Sequence, residues 1–256
     1  MGISAVVITK NEEEVLDSCL SSLRFADEIV VLDSYSTDRT PEIAKRYTDR
    51  FYQREFTGFS DQKSAALKLA RQEWVLLVDS DEVIPTDLAA EIMDAVKNGS
   101  FDAYRISRLA YFLGKPIRHC GWYPEYVLRL GKRDKLYLPD VLVHERVQTN
   151  GVVGQLTCPL LHFSYRSIMD FFRKTGHYTR AAVAQRIRNG YRWRIHHLLF
   201  HPPLMFVRNY LLKLGFLDGI HGLVLCLLMS CSVVFRYALL WEECRLSPRQ
   251  DLGGGC

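Results

Sequence analysis

The stretch that decides the fold is Trp74-Val75-Leu76-Leu77-Val78-Asp79-Ser80-Asp81-Glu82. Five apolar residues run without a polar break, and three carboxylates follow them. A short continuous apolar run is typical of a strand that is buried on both faces, as in the middle of a parallel sheet. Asp79 and Asp81 would then lie just past the carboxyl end of this strand, where open α/β sheets bind their ligands.

The two aspartates of this stretch have a chemical and a structural interpretation. Two carboxylates one residue apart repel each other unless a cation or a proton lies between them, and such oxygen ligands favour Mg²⁺ or Mn²⁺ with a diphosphate substrate. Alternatively, Asp79 begins a turn, and Asp81 or Thr86 caps the helix that Pro85 and the pattern over 86–97 predict. An isolated Asp-x-Asp is too short to separate these interpretations, so the rest of the chain has to do so.

Charge is unevenly distributed along the 256 residues. Residues 1–150 carry 20 basic and 24 acidic side chains, whereas residues 151–256 carry 13 and 5. An acidic first part and a basic second part indicate two different roles. No signal peptide is predicted, and the seven cysteines form no Cys-x-x-Cys pair, which favours reduced thiols in a cytosol.

Strand and helix patterns alternate along the first part of the chain. Buried strands are predicted at 3–8, 28–32 and 74–78, and helices at 13–24, 41–47, 58–70 and 86–97. Weaker strand patterns occur at 50–53, 103–108, 126–130 and 152–156. Strands and helices that alternate with short connections predict βαβ units and a mostly parallel, Rossmann-like α/β sheet flanked by helices.

From about residue 167 the pattern changes to basic and apolar helices. Residues 170–194 form a basic helical stretch, and 204–217 are apolar and aromatic. Gly222–Phe235 contains 14 uncharged residues, fewer than the roughly 20 that a transmembrane helix needs. We therefore expect helices that lie in a membrane interface. The alternative is a buried helical subdomain or a dimer contact, which would make the chain a homo-oligomer.

Polar loops from four parts of the chain are expected at one edge of this sheet. They are Asn11-Glu12, Asp33–Asp38, Lys63 and Asp79-x-Asp81. In this order, over residues 1 to about 150, the set resembles the nucleotide-sugar-binding half of family 2 glycosyltransferases. The remainder resembles the tail of bacterial lipopolysaccharide-core members, notably β-1,4-glucosyltransferases that modify inner-core heptose. The resemblance implies a GT-A-type fold, Mg²⁺ or Mn²⁺ as cofactor, and inverting transfer of a hexose such as glucose from a UDP-sugar.

The resemblance also assigns residues to the donor site. The nucleotide-sugar-binding residues would be Thr9, Asn11, Glu12, Asp33, Asp38, Lys63 and Asp79. Asp33 and Asp38 would accept hydrogen bonds from the uracil or ribose, although both residues equally suit loop and helix-cap stabilisation. Asp81 would ligate the metal directly, and Asp79 and His144 are the further candidate ligands.

The general base has two candidates. Glu125, in the segment Trp122–Leu130, is the first, and Arg129 would hold its carboxylate or a phosphate. Glu145, in Val143-His144-Glu145, is the competitor that would deprotonate the acceptor hydroxyl. For both glutamates the alternative is surface ion pairing. Trp122 and Tyr123 would stack on the acceptor sugar, although aromatic residues at this spacing are also common in cores.

We therefore predict a GT-A catalytic domain at residues 1–165 and a basic helical tail at residues 166–256. The expected partners are a UDP-hexose donor, a lipid-linked saccharide acceptor such as lipopolysaccharide inner core, and an anionic membrane surface, with no nucleic acid. The expected location is the cytoplasmic side of a bacterial inner membrane, with the protein peripheral or monotopic.

Two other functions stay open on the residues alone. A nucleotidyltransferase also uses paired aspartates on an α/β sheet, but it usually has a Gly-rich loop where this chain has Thr9-Lys10-Asn11-Glu12. A non-catalytic basic scaffold for nucleic acid or membrane would use residues 167–214, in which Asp170 is the only acidic residue. It would leave the acidic loops at 33–38 and 79–82 unexplained.

Overall fold

The computed structural model describes residues 1–139, 147–191 and 193–246. In chain order, its strands are β1 (Ile3–Thr9), β2 (Glu28–Asp33), β3 (Phe51–Gln53), β4 (Trp74–Asp79), β5 (Glu82–Val83), β6 (Ala103–Phe112), β7 (Lys115–Pro116), β8 (Glu125–Lys132), β9 (Leu136–Tyr137), β10 (Gln148–Thr149), β11 (Val153–Gln155) and β12 (Leu160–Tyr165). Its helices are α1 (Leu16–Ser22), α2 (Thr40–Lys45), α3 (Phe59–Leu69), α4 (Thr86–Asn98), α5 (Ile168–Arg188), α6 (Ile195–Val207) and α7 (Gly219–Leu246).

The chain divides into two compact units. Unit 1 comprises Met1–Ala110 and Pro124–Ser164, and unit 2 comprises Tyr111–Tyr123 and Tyr165–Cys256. The single domain boundary predicted after residue 165 does not include the excursion Tyr111–Tyr123 into unit 2. This excursion is rich in glycine and aromatic residues, but that composition does not indicate which unit it joins.

The main sheet has the strand order β3-β2-β1-β4-β8-β6-β12-β5. Strands β3, β2, β1 and β4 pair in parallel, as the βαβ pattern predicts. On the other side, β8 pairs antiparallel with both β4 and β6, so that the sheet as a whole is mixed. The predicted α/β class with flanking helices is confirmed, and the parallel part is the half that carries the Asp-x-Asp stretch.

Each of the predicted buried strands ends one residue later than expected, on a polar residue. β1 ends on Thr9, β2 on Asp33 and β4 on Asp79. Asp79 is therefore the last residue of its strand and not the first residue beyond it. The apolar residues of these strands are buried on both faces of the sheet, against α1 and α4 on one side and α3 on the other. This double burial explains their uninterrupted apolar runs.

Unit 2 is built from α5, α6 and α7, together with a short hairpin. In that hairpin β7 pairs antiparallel with Tyr111 and Phe112. α5 begins where the Ser167 hydroxyl accepts a hydrogen bond from the Asp170 backbone N–H at 3.0 Å, an N-cap that the sequence analysis did not identify. Apolar side chains from α5, α6 and α7 pack in two clusters, which include Phe171 and Val233 respectively.

The last helix is longer than the run of uncharged residues indicated. α7 has 28 residues and continues through Arg236, and an 18-residue window within the span Gly215–Arg245 has a mean hydropathy of 2.2. By length and composition alone, it is the one helix in the described parts of the chain that could cross a membrane. Counting uncharged residues underestimated the length of this helix, because charged side chains near its end do not interrupt the backbone hydrogen bonds.

Candidate active site

The strand ends of β2, β1 and β4 bring three predicted donor-site residues to one edge of unit 1. Thr9 is in register with Asp33, and Ile8 is in register with Asp79. Neighbouring strands are about 4.8 Å apart, so Asp33 and Asp79 stand roughly 10 Å from each other across β1. The predicted convergence of these carboxylates at the carboxyl ends of parallel strands is present in the structure.

Asp33 is fully buried and fixes the loop that follows β2. Its Oδ2 accepts hydrogen bonds from the Ser36 backbone N–H and from Gln53 Nε2, both at 2.9 Å. Beside it, Gln62 of α3 is also buried, and its Nε2 donates to Ser34 Oγ at 3.0 Å. Asp33 therefore stabilises this loop, as the structural alternative predicted. Its contact with a nucleotide stays a prediction.

Asn11 ties the loop after β1 to the loop after β2. Its side-chain oxygen accepts a hydrogen bond from the Thr37 backbone N–H at 2.9 Å, and its own N–H donates to Ser36 Oγ at 2.8 Å. Asn11 adopts a positive φ of 53°, a conformation that asparagine tolerates better than most residues. The backbone N–H of Glu12 donates to Thr40 Oγ1 at 2.8 Å.

Asp38 caps the start of α2 and joins the same loop network. Its carboxylate accepts hydrogen bonds from the backbone N–H groups of Thr40 at 3.0 Å and of Glu13 at 3.2 Å. Burial acts to raise the pKa of Asp38, but the hydrogen bonds from Thr40 and Glu13 outweigh it and lower the pKa. The structure therefore gives Asp38 its cap role, and its predicted contact with the nucleotide is not tested.

Asp79 is held between two cations from different elements. Lys63 Nζ of α3 lies 2.6 Å from Asp79 Oδ1, and Arg129 Nη2 of β8 contacts Asp79 Oδ2. Burial acts to raise the pKa of Asp79, but the charges of Arg129 and Lys63 hold it well below its usual range. Both of its oxygens contact cations in this structure, and ligation of a metal ion by Asp79 stays a prediction.

Arg129 is buried and bridges two carboxylates. Besides Asp79, its Nη2 lies 2.5 Å from Glu82 Oε1, and Glu82 is fully buried. Burial acts to lower the pKa of Arg129, but Asp79 and Glu82 outweigh it and raise the pKa. The expectation that Arg129 holds Glu125 is wrong for this structure, because the paired carboxylates lie at the end of β4 and in β5.

Glu125 is held by Arg108 instead. These residues are directly opposite each other on the antiparallel strands β6 and β8. Arg108 Nε and Nη2 lie 3.1 and 2.6 Å from the same oxygen, Glu125 Oε2, and Arg108 Nη1 lies 3.6 Å from Glu82 Oε1. Arg108 thus connects the candidate base to the buried group formed by Glu82, Arg129 and Asp79.

Asp81 lies beside a histidine, His162 of β12. His162 Nε2 of β12 is 3.4 Å from Asp81 Oδ1, and His162 Nδ1 is 2.8 Å from Ser164 Oγ. The hydroxyl of Ser164 orients the ring, as residues behind metal-binding histidines commonly do. No signal in the sequence indicated this pair, because an antiparallel pairing between β12 and β5 brings it together.

The donor set at Asp81 fits a divalent cation that also binds the substrate. Among the described residues, no three His, Cys, Asp or Glu side chains are placed to hold a metal ion by themselves. Mg²⁺ and Mn²⁺ at diphosphate sites are commonly held by only one or two carboxylates together with phosphate oxygens. Asp81 supplies one such carboxylate, and His162 adds an imidazole nitrogen beside it. His144, the remaining candidate metal ligand, and Glu145, the second candidate for the general base, lie outside the described residues.

The two predicted acceptor aromatics lie in unit 2. The rings of Trp122 and Tyr165 are 5.8 Å apart, and Trp122 packs against the apolar cluster that includes Phe112 and Phe171. Tyr123 lies under the Arg118 guanidinium at 6.0 Å. Trp122 therefore has the packing role that was its alternative, and sugar stacking by either residue stays a prediction.

Comparison with known proteins identifies the family of the chain. Residues 4–150, more than half of the chain, match the family model described as glycosyl transferase family 2. The chain belongs to glycosyl transferase family 2. The glycosyltransferase is 32% identical to the lipopolysaccharide core biosynthesis glycosyltransferase LpsC of Rhizobium meliloti, with 93% of each chain covered. It is 25% identical to the uncharacterized glycosyltransferase RT0209 of Rickettsia typhi, over 94% of this chain and 87% of the relative.

Among solved structures, this glycosyltransferase matches TarS 1–349 of S. aureus in complex with UDP-GlcNAc. The identity is 16% and the TM-score 0.49, with 98% of this chain and 93% of the other covered. The family assignment confirms the predicted resemblance and the GT-A-type fold. It also favours sugar transfer over the nucleotidyltransferase and scaffold alternatives, because those functions belong to other families.

Proposed function

We propose that this glycosyltransferase moves a hexose from a UDP-sugar to the lipopolysaccharide core, with inversion and with Mg²⁺ or Mn²⁺. The observation that carries the proposal is the polar edge of unit 1, where the Asp33 loop, the Lys63–Asp79–Arg129 group and the Asp81–His162 pair follow the strand ends. The name of the Rhizobium meliloti relative, which is similar over nearly its whole length, supports the class of acceptor.

The charge balance of this edge suits a cation and a diphosphate. The carboxylates are those of Asp79, Asp81, Glu82 and Glu125, and the cations are Lys63, Arg108 and Arg129. Because the carboxylates exceed the cations by one, a divalent ion at Asp81 would change the net charge of this set from −1 to +1, which would favour binding of a negatively charged diphosphate. Asp81 and His162 would hold the ion, which when bound would take up negative charge on the departing nucleotide diphosphate.

Glu125 is the general base in this proposal. Arg108 contacts only its Oε2, which leaves Oε1 to accept the proton of an acceptor hydroxyl. Arg108 thereby fixes the orientation of the Glu125 carboxylate. Lys63 and Arg129 hold Asp79 in a fixed position at the end of β4, where it would meet the ribose or a metal-bound water.

Transfer assays with the full-length protein test this proposal. A panel of UDP-hexoses is incubated with lipopolysaccharide core acceptor and Mg²⁺ or Mn²⁺, and release of UDP is measured. Asp81→Asn is expected to lower kcat by about 10²–10³-fold, because it removes charge stabilisation at the transition state. Asp134→Asn, at an exposed position, is the matched control and is expected to retain activity. Pyrophosphate release instead of UDP release would contradict the proposal.

His162 provides a second test of the metal site. His162→Ala is expected to raise the Mn²⁺ concentration needed for half-maximal activity by at least about tenfold, because a ligand is lost. An unchanged metal requirement would mean that His162 is not a metal ligand and has only a structural role.

We propose that unit 2 attaches the protein to the cytoplasmic face of the inner membrane as a peripheral or monotopic protein. Many apolar side chains of this unit are exposed, among them Leu199, Phe200, Leu204, Leu212, Leu217 and Ile220. An apolar surface next to basic residues is typical of proteins that lie in a membrane interface. The full-length protein is expected to sediment with membranes and to be released by detergent; recovery in the soluble fraction without detergent would contradict this.

A further inference from the structure

A group of basic and aromatic side chains in unit 2 takes no part in the site described above. It lies where α5 ends, α6 begins and α7 passes alongside them. We call it the arginine cluster; its members are Arg186, Tyr191, Arg194, His197, Arg236 and Tyr237. The Arg186 guanidinium lies over two aromatic rings, 5.5 Å from the centre of Tyr191 and 5.9 Å from that of Tyr237. These rings hold the guanidinium in place without neutralising it.

The arginine cluster contains N–H donors that have no acceptor. Arg186 Nη1 and Arg236 Nε are buried and have no hydrogen-bond partner in the described structure, and the same is true of Trp193 Nε1 next to them. A buried donor without an acceptor loses its hydrogen bonds to water and gains none in the protein. Such groups are rare in folded proteins. A group rich in acceptor oxygens would satisfy donors of this kind.

The positive charge of the cluster is also uncompensated. Within the described residues, no carboxylate forms an ion pair with Arg186, Arg194 or Arg236. Burial, and then the nearby charge of Arg186, lower the pKa of the Arg236 guanidinium. Two arginines that face each other without a counter-charge repel each other, and an anion between them would remove that repulsion.

Space for such an anion lies beside the cluster. An open pocket of about 380 Å³ is lined by Gly190, Tyr191, Arg194 and His197. Gly190 has a positive φ of 73°, which lets the chain turn sharply between α5 and α6. Planar guanidinium groups bind phosphate oxygens in pairs, which makes phosphate the anion that best matches this set.

We propose that Arg186, Arg194 and Arg236 form a phosphate-binding site in unit 2. The phosphate is a phosphate ester, carried either by the acceptor saccharide or by the head group of an anionic lipid. The site itself stands on the unpaired donors, the unpaired charges and the pocket. Assigning its phosphate to the acceptor rests in addition on the proposed sugar transfer.

Charge-preserving variants test the site. The full-length protein in uncharged detergent is titrated with inorganic phosphate, and binding is followed by tryptophan fluorescence. Arg186→Lys and Arg236→Lys keep the charge but lose the paired N–H groups, so each is expected to weaken phosphate binding by about tenfold or more. Arg188→Lys, at an exposed position on the same helix, is the matched control and is expected to bind within about twofold of the unmodified protein. Equal binding by all four proteins would overturn the proposal.

A second measurement holds even if the lysine variants do not fold. In the unmodified protein, inorganic phosphate is expected to raise the midpoint of thermal unfolding more than chloride at the same ionic strength does, because it binds the folded state. Equal midpoints in the two salts would overturn the proposal.

Two further arms identify the source of the phosphate. If it belongs to a lipid, phosphatidylcholine vesicles that contain phosphatidic acid bind the protein, those of phosphatidylcholine alone bind it less, and Arg186→Lys removes the difference. If it belongs to the acceptor, Arg186→Lys raises the KM for a phosphorylated core acceptor about tenfold and leaves the KM for the UDP-sugar unchanged. Phosphate binding without sugar transfer would refute the proposed function alone, and sugar transfer without phosphate binding would refute this site alone.

Discussion

The two units of the protein treat charge in opposite ways. In unit 1, the half-buried Asp79 and the fully buried Glu82 share Arg129, and Lys63 adds a second contact to Asp79. In unit 2, Arg186 and Arg236 are packed together with no carboxylate among the described residues to pair with them. In unit 1 these opposite charges are paired before any ligand binds, so the group can hold side chains in position for the reaction. In unit 2 the charges would be paired only when an anion binds, so these arginines would select an anionic ligand.

The sharpest test of the preorganised arrangement concerns the candidate base. Glu125→Gln keeps the shape of the side chain and its place opposite Arg108, but it removes the group that accepts the proton. We expect kcat to fall by about 10²–10⁴-fold, with the KM for the donor little changed. Steady-state transfer kinetics measure both constants. If Glu145→Gln gives this loss and Glu125→Gln does not, the base is Glu145.

The second test breaks the neutralised group in unit 1. Arg129→Met removes the shared cation and leaves Asp79 and Glu82 buried with less compensation. We expect the free energy of unfolding to fall by about 3–5 kcal/mol, measured by denaturant titration. Arg105→Met, at an exposed position of β6, is the control and is expected to change stability by less than about 0.5 kcal/mol. Similar decreases in the free energy of unfolding in both variants would show that the contacts of Arg129 with Asp79 and Glu82 do not stabilise the fold more than an exposed arginine does.

The smallest effect is the dependence of stability on pH. Because the pKa of Asp79 in the folded protein is well below its unfolded value of about 3.9, its contribution to stability is complete above that value and is lost as the pH falls towards the folded pKa. The stability difference between the unmodified protein and Asp79→Asn should be constant from about pH 5 to 7. Below about pH 4 it should shrink by up to about 1.4 kcal/mol per pH unit. A difference that stays constant at acid pH would contradict the pairing.

What the sequence could predict follows from how each residue reaches the site. Thr9, Asp33 and Asp79 each end an uninterrupted apolar run, and strands of this kind pair in parallel with their carboxyl ends together. Their meeting could therefore be foreseen from local patterns. The same patterns gave the α/β class and the order of the first helices.

The partners of these residues come from strands whose pairing no local pattern reveals. Arg108 meets Glu125 only because β6 and β8 are antiparallel in one particular register, and His162 reaches Asp81 through β12 and β5. Strand order on this side of the sheet does not follow the chain, so Arg129 was assigned to a neighbour in sequence instead of to Asp79. The arginine cluster was visible only in part, as a basic stretch poor in acidic residues, because Arg236 and Tyr237 join it from α7.

Asn11 has a consequence for how the protein would meet its donor. Its side chain joins the turn after β1 to the turn after β2, and its left-handed backbone makes this junction compact. Both turns are thus ordered by folding itself, and a nucleotide that binds there would not have to immobilise them. We therefore expect the backbone of these two turns to change little between the free and the nucleotide-bound protein.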